Sequence, residues 1–151
     1  MATSTDEKYT EELVETCEDG KEGYTRGAAD LADSDHPELA ATFTRLAEQR
    51  RGFASELRGL AGAYGDDVAV GGSAAAAVHR GWMRLKDAVT GSGPEAILSS
   101  AVTGEDHARK EYEKALAEDL SADLRAMAEQ QLLAIHAARA EVQDLLDGLR
   151  G

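Results

Sequence analysis

Apolar residues recur at spacings of three and four over four stretches of this chain, the period of a helix with one buried stripe. The first, about residues 5–33, carries Leu13, Cys17, Gly20, Tyr24, Ala28 and Leu31 on one line. The second, about 36–62, carries Leu39, Phe43, Leu46, Arg50, Phe53, Leu57 and Leu60. The third, about 94–118, carries Leu98, Ala101, Ala108, Tyr112 and Leu116, with Glu105 in the middle of the stripe. The fourth, about 121–149, carries Leu124, Met127, Gln131, Ile135, Ala138, Val142, Leu145 and Leu149. A carboxylate on a core line is costly to bury, so Glu105 requires a partner, a metal or water.

The punctuation between these stretches predicts how they join. Ser4 with Glu7, Asp35 with Glu38 and Ser92 with Glu95 have capping-box spacing, and Ser121 is positioned to start the fourth helix. Glycines at 20, 23 and 27 inside the first helix call for the close approach of another helix or a large ring, or else for a break near Gly20–Gly23. The short turn Asp33–Pro37 makes the first two helices an antiparallel pair, and the third and fourth form another. About residues 63–93 form a long crossover. Its Gly-rich ends flank a short amphipathic helix with Val78, Trp82, Leu85 and Val89 on one face. The expected architecture is all-α: a single domain over 1–151 with the ferritin-like form of the four-helix bundle.

Composition fits that reading. Aromatic residues are only 5% of the chain, while Ala, Leu, Glu and Arg abound, which favours helix over sheet. With 29 acidic and 16 basic residues the net charge is −13, a field that repels polyanions, so nucleic acid is not an expected partner. One cysteine, Cys17, excludes an intrachain disulfide and fits a reducing cytoplasm. No apolar run reaches the ~20 residues of a membrane span, and the polar first residues lack a signal-peptide pattern. The expectation is a cytoplasmic protein that acts on an unknown protein partner or on itself as a homo-oligomer.

Registering the helices by their turns puts Gly20 level with Arg50 and Glu105 opposite Ala134. The central residues are then Cys17, Arg50, Glu105, Gln131 and Tyr112, a polar layer in an apolar core. A dinuclear metal centre wants Glu on two helices and Glu-x-x-His on the other two. Here the corresponding segments read Glu48-Gln49-Arg50-Arg51 and Glu129-Gln130-Gln131-Leu132, without His and with a cation in the way. The reading is therefore an Arg50–Glu105 ion pair completed by Gln131 and the Tyr112 hydroxyl, with no cofactor. The alternative is a modified iron or manganese site drawn from Glu18, Glu56, Glu105, His79 and His136, serving storage, oxidation or peroxide handling. Neither a phosphate loop nor a nucleophile elbow is present, and no catalytic residue is assigned.

Three segments carry a resemblance: Glu15-Thr16-Cys17-Glu18-Asp19-Gly20 with Gly23-Tyr24, His79-Arg80-Gly81-Trp82-Met83-Arg84-Leu85-Lys86, and Gly104-Glu105-Asp106 with Tyr112. The chain resembles an uncharacterised bacterial family of ferritin-like four-helix bundles, a domain of unknown function. The resemblance implies that fold and a bacterial cytoplasmic protein, and it supplies no activity. The expected function is a non-catalytic binding or stress-associated accessory role. An interaction module working through the acidic surface and the face around Trp82 is another expectation.

Overall fold

The computed structural model describes residues 4–63 and 93–151. The described residues form four helices: α1 (Ser4–Ala32), α2 (Ala40–Ala63), α3 (Pro94–Leu116) and α4 (Ala122–Arg150), with a 3₁₀ turn at Pro37–Leu39 before α2. At 1.5 Å per residue, the 29 residues of α1 span about 43 Å. The crossover helix expected around Val78–Val89, with His79 and Trp82, lies outside the described residues.

α1 packs against α2 and α3, and α4 packs against α3 and α2. Every neighbouring pair is antiparallel. Tyr9 of α1 meets Glu118 just beyond α3 while Tyr24 meets Glu105, and Arg45 of α2 pairs with Glu141 while the Phe53 carbonyl accepts from Gln131. α2 and α3 therefore run parallel on one diagonal, which a pair of hairpins achieves only through a long connection between them. The all-α bundle read from the periodicity is the architecture found.

The apolar side chains gather in two clusters, one at each half of the bundle. Leu13, Leu57, Leu124 and Ile135 belong to the first; Leu31, Phe43, Leu98 and Val142 belong to the second. α1 is continuous through Gly20 and Gly23, so the break is not made. Its glycines serve close packing instead. A methyl group on Gly27 would lie 2.5 Å from Cδ2 of Phe43, whose ring stands edge-on to Tyr24 at a centroid distance of 5.0 Å.

Several helix ends differ from expectation. Asp35 is exposed, and the box with Glu38 is not made: Ser34 Oγ accepts from the His36 backbone N–H, and the Glu38 carboxylate bonds His36 Nδ1 at 2.9 Å. Gly93 occupies the N-cap of α3 without a side-chain cap, and Glu95 accepts from Arg150 at the far end of α4. Ser121 sits at the N-cap of α4 but its hydroxyl makes no capping bond; its backbone N–H donates to Asp6 of α1 at 3.0 Å. α3 ends without Gly or Pro; Arg125 donates to the Leu116 carbonyl of its last turn and to the Glu118 carbonyl just beyond it.

Candidate functional site

Between the two apolar clusters lies the polar layer, and its centre is a fully buried ion pair. Arg50 is 1% exposed and Glu105 0% exposed. Each occurs on its core line because the 3.6-residue period that brings Phe43, Leu46 and Leu57 inward brings Arg50 inward too, and likewise Glu105 between Leu98 and Tyr112. Nη1 and Nη2 of Arg50 donate to Oε1 and Oε2 of Glu105 at 2.6 and 2.5 Å. This is the two-pronged match of guanidinium to carboxylate. Tyr24 of α1 donates its hydroxyl to Oε2 at 2.6 Å. Arg50 also donates from Nε to Gln49 and lies over the Tyr24 ring at 5.7 Å. Gly20 lies against the Arg50 side chain: a Cβ built there would meet Cγ and Nη1 at 3.4 Å, an ordinary contact.

Two turns further along α3 runs a second hydrogen-bonded chain. Tyr112 donates to Gln131 Oε1 at 2.6 Å, so the Cys17 thiol, 3.0 Å from the same phenol oxygen, is the donor to Tyr112. Gln131 Nε2 in turn donates to the Phe53 carbonyl at 3.3 Å, giving a relay that touches all four helices.

The protonation states follow from these surroundings. Burial works to lower the Arg50 pKa, but the Glu105 carboxylate against it outweighs burial and raises it. Burial, with the negative charge of Glu105 added, pushes the Tyr24 phenol well above its ordinary value. Burial raises Cys17 to about 11, and it likewise raises Tyr112. All three hydroxyl and thiol groups therefore stay protonated and serve as donors.

The structure corrects the membership of the layer. Gln131 and Tyr112 do not complete the Arg50–Glu105 pair; Tyr24 does, and Gln131 and Tyr112 belong to the Cys17 relay. The cause is axial register. Asp106 pairs with Arg139 at 2.6 Å and Tyr112 with Gln131, so Glu105 lies level with about Ala138, one turn beyond Ala134. Tyr24 was on the inward line of its helix, one turn from Gly20, and its phenol was the available signal.

Of the alternative metal ligands, His79 lies outside the described residues, and the described ones do not converge. Glu18 accepts from Arg58 at 2.9 Å and pairs with Lys21 at 3.1 Å; burial would raise its pKa, and these two cations bring it below the ordinary value. Glu56 and His136 are exposed on different helices, and Glu105 has both oxygens engaged. Among the described residues no group of three or more His, Cys, Asp or Glu side chains is placed to hold a metal ion. The centre of the bundle, one carboxylate facing one guanidinium, is not a donor set for a dinuclear site. Nor is any described helix long and apolar enough to cross a membrane.

Comparison with known proteins adds the following. A family model described as Domain of unknown function (DUF2383) matches residues 8–118, which takes in nearly all of α1 and the whole of α2 and α3. No curated protein matches. Among solved structures, the chain is similar to a conserved hypothetical protein from Mycobacterium tuberculosis, with a TM-score of 0.71 at 12% identity, over 96% of this chain and 99% of that one. At that identity the likeness is one of fold.

Proposed function

From the premise that the chain belongs to the domain of unknown function family DUF2383, we propose that it is a non-catalytic binding or stress-associated accessory protein, working through its surface. One observation carries this reading: the central carboxylate, Glu105, has both oxygens bonded to Arg50 and one also to Tyr24. A catalytic or metal-holding centre needs a group with bonding capacity left for a substrate or ion. Here that capacity is spent inside the protein, and the second network is a closed relay of donors and acceptors. The acidic surface, on a chain of net charge −13, remains as the part of the molecule able to recognise something else.

The competing function is an iron or manganese protein. Metal content after aerobic expression with either ion supplied separates the two. The proposal expects well below one metal per chain and no metal-dependent consumption of oxygen or peroxide. Stoichiometric metal that is lost on Glu105→Ala overturns it.

A further inference from the structure

The outer face of α4 carries the large apolar side chain that the described residues leave most open, Leu133, 70% exposed. We infer that this face pairs with the same face of a second copy of the chain, α4 against α4, antiparallel about a two-fold axis through Leu133. The proposal rests on the proposed function only in taking the outside of the bundle as the working surface.

Charge placement selects this occupant. In an isologous contact, residue i of one copy meets j of the other and j meets i. A two-fold axis lying across the helices reverses their direction and keeps each flank on its own side. Glu129 and His136 share one flank of α4, within about 20° of each other, at roughly 6 Å before and 4.5 Å beyond Leu133 along the axis. Antiparallel pairing about Leu133 therefore sets Glu129 of each copy against His136 of the other, within about 1.5 Å of the same level, and does so twice. Both side chains are exposed. On the opposite flank Gln130 faces Ala137, and beyond them Ala126 faces Ala140, all exposed.

No like charges oppose one another over this central stretch, although the chain carries a net charge of −13. Parallel pairing, about a two-fold along the helices, exchanges the flanks and sets Glu129 against Gln130 and His136 against Ala137, so neither charge meets its complement. A different acidic partner would gain nothing from Glu129, whereas the reversed copy supplies its complement. The nearest strong charges of α4, Arg139 and Glu141, are turned away to Asp106 and Arg45 at the two seams of the bundle.

The test is sedimentation equilibrium of the full chain from about 1 to 300 μM, with thermal melting by circular dichroism to show that each variant is folded. A monomer–dimer equilibrium is expected. Leu133→Glu should abolish it without changing the melt, because that side chain is exposed. His136→Glu sets two carboxylate pairs against each other and should weaken the dimer by about tenfold. Adding Glu129→Lys to it should restore the association. A wild-type chain that stays monomeric throughout overturns the inference. So does a dimer indifferent to Leu133→Glu, or a double variant no tighter than His136→Glu alone. Metal content tests the functional reading independently, so either idea can fail without the other.

Discussion

Arg50 of α2 and Glu105 of α3 reach each other across the diagonal of the bundle through two parallel hydrogen bonds of 2.6 and 2.5 Å, with no exposure of the carboxylate. Because α2 and α3 are not packed side by side, this pair links two elements that little else joins directly. A buried ion pair is not in itself a strong source of stability, since desolvation offsets the attraction. Its removal by halves is another matter.

Glu105→Leu strands a guanidinium in the core, with Tyr24 left without its acceptor. The expected loss is about 3–5 kcal/mol in urea unfolding. Adding Arg50→Met should recover most of it, because the double change replaces the pair with apolar groups of similar length. A single variant as stable as the parent would mean the pair is not buried in solution.

Two glycines of α1 should respond in opposite directions. Gly27→Ala drives a methyl group into the Phe43 ring, at 2.5 and 2.6 Å from two of its atoms, and that ring is held by Tyr24. Overpacking of this kind costs about 1–3 kcal/mol. Gly20→Ala meets Arg50 only at 3.4 Å, an ordinary contact, so the helix-propensity gain of about 1 kcal/mol should dominate. Melting temperatures of the two variants, measured side by side, check the sign of each.

Alkaline pH should unfold the protein through Cys17. Its pKa is raised from 9.0 to about 11 by burial. Between those values the unfolded chain gives up the thiol proton while the folded chain holds it. The contribution is therefore fully present below about pH 9 and lost as pH rises through about 11, amounting to about 3 kcal/mol over two units. Tyr24 and Tyr112, also raised by burial, act in the same direction at higher pH. Urea midpoints across this range should fall less steeply for Cys17→Ala than for the parent; identical slopes would show that the thiol is not buried.

The sequence by itself determined which side chains face inward. Leu13, Phe43, Leu98 and Leu124 are buried as their periodicity requires, and the same angular rule placed Arg50, Glu105 and Gln131 on core lines. It also determined the pairing of helices, because a turn as short as Asp33–Pro37 leaves an antiparallel neighbour as the outcome. What it left open was the level of one helix against another. A period of 3.6 residues fixes an angle about the helix axis and nothing along it. The level is set by how the ends close, and those were the poorly legible parts: Ser121 tied to Asp6, Arg125 closing α3, His36 rather than Asp35 beginning the turn into α2. One helical turn of difference between Ala134 and Ala138 exchanged Gln131 for Tyr24 as the third member of the Arg50–Glu105 cluster. Hydrogen bonds reach about 3 Å and a turn rises about 5.4 Å, so the tertiary register alone decided which of the inward polar groups are partners.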